Sequence, residues 1–150
     1  MAVPSVAMIG SFRKHLTEME AAKQIFTNNG IEVVNPLSTE PLQPGIEFVR
    51  FATDGEGLTD AEVQIHALER ILGATAVYVI CPEGYTGKTT AYEWGWVSEK
   101  GRPAYFSDMP SEWFMQIYAQ ERRVVTPQAL ADLLLANAVE PLPYLGPSGK

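Results

Sequence analysis

The amino-acid sequence predicts an α/β fold, a three-layer α/β/α sandwich around a mostly parallel, five-stranded sheet. Two observations predict it. Short apolar runs of strand length alternate with amphipathic segments of helical period, and glycines stand at several of the junctions. With 150 residues, 46% of them apolar and 19% charged, the chain has the size and composition of one globular domain. We therefore expect residues 1–150 to form a single domain.

The chain begins with a strand–helix–strand unit. The apolar runs at residues 5–10 and 31–34 are predicted strands. Between them, residues 14–29 carry apolar side chains at helical spacing, and Gly30 stands at the expected C-terminal position. Two strands joined through a helix form a right-handed parallel unit.

A long irregular segment follows and leads into a capped helix. Residues 35–57 contain three prolines and three glycines, and residues 46–51 within them are either a short strand or an ordered loop. Thr59 and Glu62 have the spacing of a capping box. The helix that they begin is expected to end near Gly73 and to bury one side, with Ile65, Leu68 and Leu72.

The second half continues the alternation and ends in an extended, Pro-rich tail over residues 138–150. Strands are predicted at residues 76–81, 103–108 and 122–125, and helices at residues 89–100, 111–120 and 127–138. This order is that of a Rossmann- or flavodoxin-like sheet, in which ligands bind beyond the carboxyl ends of the strands where the strand order reverses. We expect the turns at residues 10–13 and 82–88 to meet there.

Charge and composition exclude several classes of partner. The formal charge of −7 argues against a nucleic-acid polymer, and no apolar run is long enough to span a membrane. Two histidines and a single cysteine, far apart, offer no metal site, and no cofactor is expected. The single cysteine and the absence of a signal sequence favour the cytoplasm. The expected partner is a small molecule or another copy of the chain.

The segment Gly84–Thr89 resembles a triphosphate-binding loop but is too short. Such a loop needs four residues between its first glycine and Gly-Lys-Thr, whereas Gly84 leaves two before Gly87. A helix N-terminus remains, with Thr86, Lys88 and Thr89 as donors for an anion. On this feature alone, a helix start that needs no ligand is the simpler interpretation, and a triphosphatase is kept as a rival.

Glu93 follows one turn into that helix, between Tyr92 and Trp94 and before Gly95. Two interpretations are open. The carboxylate gains from the helix dipole and faces water, or it faces the crevice among aromatic side chains and attacks the anomeric carbon of a sugar.

Two of these segments together resemble one family of enzymes. Gly10-Ser11-Phe12-Arg13 after the first strand and Tyr92-Glu93-Trp94-Gly95 are similar to motifs of the nucleoside 2-deoxyribosyltransferases and the related 2′-deoxynucleoside 5′-phosphate N-hydrolases. The resemblance covers roughly residues 5–108. It implies that Glu93 attacks C1′ of a ribosyl or deoxyribosyl group, after which water gives hydrolysis and a second base gives transfer.

The resemblance also implies a substrate-binding set and an assembly. By the resemblance, Ser11 and Arg13, in one turn with Gly10 and Phe12, and the helix start at Gly87, Lys88 and Thr89 would hold the 5′ end of the nucleoside or nucleotide. Tyr85 joins this set because of its place in the loop at the mouth of the crevice. Among these, Arg13 is suited to a phosphate and Tyr85 to stacking on a base. The family forms homo-oligomers that complete each site with a neighbour's residues, a role available here to the tail or to residues 110–123.

The chain departs from the family at a helical aspartate that assists proton transfer. Ala67 matches that position, with His66 beside it. His66 is either a substitute for the aspartate or part of a solvated stripe with Glu62 and Arg70. His15 is expected to face water, with the crevice as the alternative. Loss of the aspartate supports a second interpretation, a non-catalytic nucleotide-binding or sensor domain on the same fold.

Overall fold

The computed structural model describes residues 3–36 and 57–148, which form one parallel sheet between two layers of helices. The strands are β1 (Ser5–Gly10), β2 (Glu32–Asn35), β3 (Ala76–Ile80) and β4 (Ala104–Phe106), in the order β2-β1-β3-β4. The helices are α1 (Phe12–Asn28), α2 (Asp60–Gly73), α3 (Lys88–Glu99), α4 (Trp113–Arg123) and α5 (Pro127–Leu135). Within these ranges, no helix is long and apolar enough to cross a membrane.

The two central strands are buried on both faces, which explains their continuous apolar sequence. On β1, Val6 and Met8 pack with α1 and α5, whereas Ala7 and Ile9 pack with α2, α3 and α4. Helices therefore cover both faces of the sheet, and the predicted three-layer α/β architecture is confirmed.

The prediction of five strands is wrong, because the sheet has four in the described part of the chain. Residues 122–125, predicted as the fifth strand, contain the end of α4 and a single parallel bridge between Val124 and Phe106. The Val125 N–H donates to the Phe106 carbonyl, and the buried Arg123 guanidinium donates to the Ala104 carbonyl at 3.1 Å. One side chain and one bridge thus occupy the edge where a strand was expected.

The capping box of α2 forms as its spacing predicts. The Glu62 N–H donates to Thr59 Oγ1 at 3.1 Å, and the Thr59 N–H donates to Glu62 Oε1 at 2.9 Å. The buried face of the helix differs from the predicted one: Ile65 is exposed, and Val63 is buried in its place. Two positions along a helix correspond to about 200° of rotation, so these residues cannot share a face.

The last described residues run along the outer side of β4. Residues 138–148 contain no helix or strand. The Leu142 side chain is buried, and the Glu140 N–H donates to the Tyr105 hydroxyl at 3.0 Å. Residues 46–51 lie outside the described ranges, and a single domain over residues 1–150 stays a prediction.

The strand order reverses between β1 and β3, which brings two turns together. After β1, the chain forms β2 on one side of it. The chain then returns and forms β3 on the other side of β1. Gly10 allows the close approach, because a Cβ there would lie 2.6 Å from the Ile80 carbonyl oxygen. The turns after these two strands therefore lie side by side.

Candidate functional site

A cavity of about 260 Å³ opens at the carboxyl ends of the strands, where the strand order reverses. Four segments of the described chain line it. They are the turn at residues 10–13, the end of β2 with Asn35 and Pro36, the α2 residues Val63, Gln64, Ala67 and Arg70, and the β3–α3 connection with α3, from which Tyr85, Gly87, Lys88, Thr89, Thr90 and Glu93 contribute.

The cavity brings together nearly all the residues that the sequence singles out. Glu93 and the eight residues assigned to substrate binding line it. His66 does not: it is exposed on α2, while its neighbour Ala67 faces the cavity. Adjacent positions on a helix differ by about 100°, so only one of this pair can face inward. His66 is therefore left out of the site that we propose.

Glu93 is a buried carboxylate inside this cavity. Its side chain is 5% exposed, because α3 turns Thr90, Glu93, Trp94 and Val97 toward the protein interior. The Gln64 side-chain amide donates to Oε2 at 3.0 Å, and no residue in the described ranges hydrogen-bonds Oε1. Burial raises the pKa of Glu93 to about 7, although the Gln64 hydrogen bond lowers it. A carboxylate facing bulk water is thus excluded.

Two helix N-termini without side-chain caps form one end of the cavity. The N-cap residues Ser11 of α1 and Gly87 of α3 make no side-chain cap hydrogen bond, and neither helix has an acid in its first turn. The helix α4 also lacks a side-chain cap, whereas α2 has its capping box and α5 is capped by Thr126. The first turn of a helix and its dipole favour an anion, and two such helix starts meet here. We call this part, residues 10–13 with 87–89, the anion-binding end.

The two turns of the anion-binding end approach each other closely. A Cβ on Gly87 would lie 3.9 Å from Ser11 Oγ and 3.9 Å from the Tyr85 hydroxyl. Arg13 and Lys88 are exposed at its rim and both line the cavity. The arrangement suits a phosphate monoester held by backbone N–H groups and two cationic side chains.

Tyr85 stands at the mouth between α1 and α3. Lys14 Nζ lies 4.0 Å from the centre of its ring, and the His15 ring packs edge-on at a centroid distance of 5.7 Å. The prediction that His15 faces water is wrong: His15 is 8% exposed, burial lowers its pKa, and its Nδ1 has no hydrogen-bond partner. Its backbone departs from helical angles, which breaks the regular first turn of α1.

The loop that carries Tyr85 is fixed from the β4 side. Gly84 has a φ of +85°, and a Cβ there would lie 3.0 Å from the Met109 carbonyl oxygen. The Ser111 hydroxyl and N–H both donate to the Gly84 carbonyl, and the Glu83 N–H donates to Asp108 Oδ2. Asp108 and Ser111 therefore hold this loop together.

Sequence reasoning missed Arg70, Asn35 and Gln64. Arg70 was expected to be part of a solvated stripe, but it lines the cavity, and its Nη2 donates to Asn35 Oδ1 at 3.2 Å. Asn35 is 3% exposed and its amide donates to the Met8 carbonyl. The available signal was the spacing of Gln64, Ala67 and Arg70, which places all three on one helical face.

Comparisons with known proteins identify the fold. The sequence matches no protein-family model, and no curated protein matches it. Among solved structures, the chain is similar to a 2-deoxyribosyltransferase from the psychrotolerant bacterium Bacillus psychrosaccharolyticus, described as a biocatalyst for the synthesis of antiviral and antitumoral nucleosides. The TM-score is 0.60 at 18% identity, over 91% of this chain and 98% of the other. The predicted resemblance to deoxyribosyltransferases is thus confirmed for the fold.

Proposed function

We propose that the protein cleaves the N-glycosidic bond of a nucleoside or nucleoside 5′-monophosphate through Glu93. The observation that carries the proposal is the position of Glu93, a buried carboxylate in a cavity whose other feature is an anion-binding end. A fold shared with an enzyme that acts on nucleosides supports the substrate class.

In this proposal Glu93 acts as a nucleophile. The ionised carboxylate attacks C1′, the base departs, and a glycosyl ester forms on the enzyme. Gln64 fixes Oε2 and so orients the carboxylate, which leaves Oε1 for the sugar. Water then releases the sugar, whereas a second base would accept it. We favour hydrolysis, because the anion-binding end suits a 5′-phosphate.

The remaining residues hold the substrate. Arg13, Lys88 and the first N–H groups of α3 bind the 5′-phosphate, which places the sugar over Glu93 one turn further along the helix. The Tyr85 hydroxyl, which lies 3.9 Å from where a Cβ on Gly87 would be, contacts the 5′ end of the substrate rather than its base. No cofactor takes part in this scheme.

The direct test measures release of free base and locates the sugar adduct. The protein is incubated with nucleosides and nucleoside monophosphates, and base is quantified by chromatography. A 2-fluoro-sugar analogue, which slows ester hydrolysis, should give an adduct on the peptide that contains Glu93. The Glu93→Gln variant should form no adduct and lose at least about a thousandfold in base release. An adduct on another peptide would overturn the role of Glu93.

A non-catalytic sensor of nucleotides is the alternative, and one observation favours it. Ala67 lines the cavity where the family has an aspartate, so that position brings no proton donor. A sensor would bind nucleotides without releasing base, and Glu93→Gln would leave the affinity unchanged. Calorimetric titration of both proteins, run beside the base-release assay, separates the two functions.

We further expect a homo-oligomer in the cytoplasm. Trp113 on α4 and Tyr144 in the tail are 70% and 61% exposed, as residues that contact a neighbouring copy would be in the isolated chain. Light scattering on the purified protein gives the mass in solution, and a monomeric mass would contradict this expectation.

A further inference from the structure

Arg70 marks an end of the cavity to which the proposed chemistry assigns no role. The strand order β2-β1-β3 places Asn35, at the end of β2, on the far side of β1 from the anion-binding residues of α3. Along α2, Gln64 contacts Glu93, Ala67 follows one turn later, and Arg70 reaches Asn35. The cavity thus runs from the anion-binding end, past Glu93, to Arg70.

The guanidinium of Arg70 is held in place but only partly used. Its Nη2 donates to the neutral Asn35 side chain, which is itself fixed by the Met8 carbonyl of β1. A guanidinium has five N–H groups, and those other than the one bound to Asn35 have no hydrogen-bond partner in the described chain. Arg102 also has an unpartnered Nε but lies outside the cavity, so the position of Arg70 is what distinguishes it.

The order of these residues along the cavity determines which part of the substrate contacts Arg70. If the 5′ end lies at the anion-binding end and C1′ lies at Glu93, the base extends toward Arg70. Breaking the C1′–N bond leaves the electron pair on the base. An arginine side chain stays protonated in proteins and therefore does not act as an acid. The guanidinium can stabilise a base that leaves as an anion, provided that the negative charge is delocalised onto an oxygen that accepts a hydrogen bond from it.

On the basis of the proposed function, we infer that Arg70 binds the leaving base and that the substrate carries an oxo base. The chemical class is a nucleoside or nucleotide whose base has a carbonyl oxygen conjugated with the glycosidic nitrogen, as in uracil or hypoxanthine. A pyridinium base is disfavoured, since its positive ring would face the guanidinium.

The reaction balances without a separate acid. The bond between C1′ and a Glu93 oxygen forms as the C1′–N bond breaks, and the base departs as an anion bound by Arg70. Water then attacks C1′ and gives its proton to the base nitrogen. The ester bond breaks, which restores the Glu93 carboxylate and releases the sugar and the neutral base.

The experiment compares leaving groups of different acidity in wild type and Arg70→Gln. The substrates are a uracil nucleotide and its 5-fluorouracil analogue, whose base leaves more readily as an anion. A charged hydrogen bond lost from the transition state should lower kcat for uracil by about 10- to 100-fold. The loss for 5-fluorouracil should be several-fold smaller. Wild type should also release hypoxanthine faster than adenine, which has an amino group in place of the oxygen.

Arg102→Gln is the matched control, because Arg102 is also partly buried and donates to one carbonyl, that of Ala74, away from the cavity. Arg102→Gln should change kcat only slightly, and to the same extent for both substrates. Thermal melting checks folding. If Arg70→Gln unfolds, Arg70→Lys replaces it, with a smaller loss for uracil that should still exceed the loss for 5-fluorouracil because the charge is kept but the fork of N–H groups is not.

Equal losses for the two uracil bases, a change in KM alone, or faster release of adenine than of hypoxanthine would overturn the role of Arg70. Release of no base from any substrate by wild type would instead overturn the proposed function.

Discussion

In the proposed function, the charge state of one residue, Glu93, affects both catalysis and stability. A carboxylate whose pKa is raised by burial keeps its proton in the folded protein at a pH where the unfolded chain has lost it. The folded state then binds more protons than the unfolded state. The contribution of Glu93 to stability therefore falls as pH rises from the ordinary pKa of 4.5 to about 7, and does not change further above that.

Replacing Glu93 with glutamine should thus stabilise the protein at alkaline pH. A difference of one in pKa between the folded and unfolded states corresponds to about 1.4 kcal/mol, so Glu93→Gln should raise the free energy of unfolding at pH 8 by up to about 3 kcal/mol. At pH 4 the gain should vanish. Urea denaturation at pH 4, 6 and 8 measures it. Glu99→Gln, an exposed change on the same helix, should show no such trend; a similar gain at every pH for Glu93→Gln would contradict the argument.

The same titration should appear in the rate. If ionised Glu93 is the nucleophile, kcat/KM rises with pH and levels off above about 7. Because the Gln64 hydrogen bond lowers the pKa of Glu93, Gln64→Ala should move the midpoint to higher pH. Rates of base release between pH 5 and 9 for both proteins test this. A midpoint that Gln64→Ala leaves unchanged would show that another group titrates.

At the scale of elements, the N-terminus of α3 lacks a stabilising side-chain cap at the position where the proposed function needs an anion-binding site. Asp is a favoured N-cap residue, Gly87 has a φ of −94° that any residue adopts, and a Cβ there meets nothing closer than 3.9 Å. Gly87→Asp should stabilise the protein by a few tenths of a kcal/mol, up to about 1. It should also raise KM for a nucleoside monophosphate by about tenfold or more, since its charge occupies the anion-binding end.

Gly87→Asn separates the two effects, because asparagine caps the helix without a charge. It should match the stability gain and raise KM much less. Thermal melts and steady-state kinetics on the three proteins measure both quantities. Equal KM values for a nucleoside monophosphate in Gly87→Asp and wild type would show that phosphate binds elsewhere.

Elements were predictable from sequence where their signals are local. The capping box of α2 joins Thr59 and Glu62 within one turn, so spacing alone reveals it. The boundary between α4 and the expected fifth strand could not be predicted from sequence, because it depends on hydrogen bonds from Arg123 to residues far along the chain. Within the site, Glu93 lies in a short motif. Arg70 could not be recognised from the sequence, where it resembles a surface residue, because only the packing of α2 beside Asn35 brings it into the site.

At the scale of the whole molecule, Arg123 joins the sheet, α4 and the tail. Its buried guanidinium donates to the carbonyls of Ala104, Glu140 and Pro141, and burial lowers its pKa. Arg123→Met should lower the free energy of unfolding by about 3 kcal/mol or more, because three carbonyls lose their donor.

Arg122→Met is the matched control for this change. The Arg122 side chain is 55% exposed and pairs with Glu140 on the surface, and such ion pairs contribute about 1 kcal/mol or less. Urea denaturation of both variants measures the difference. Similar losses for the two substitutions would show that the buried hydrogen bonds of Arg123 contribute little to stability.

The outer carbonyls of β4 have a consequence for how these molecules behave at high concentration. The Ala104 and Phe106 oxygens already accept hydrogen bonds from Arg123 and Val125 within the same chain. An extended peptide from another molecule therefore finds no vacant acceptor along this border, and fibrillar growth by strand addition is blocked there. Strand addition at β4 requires the Pro-rich terminus and the Arg123 guanidinium to detach first. Replacing Arg123 should therefore lower the resistance of the protein to amyloid-like assembly.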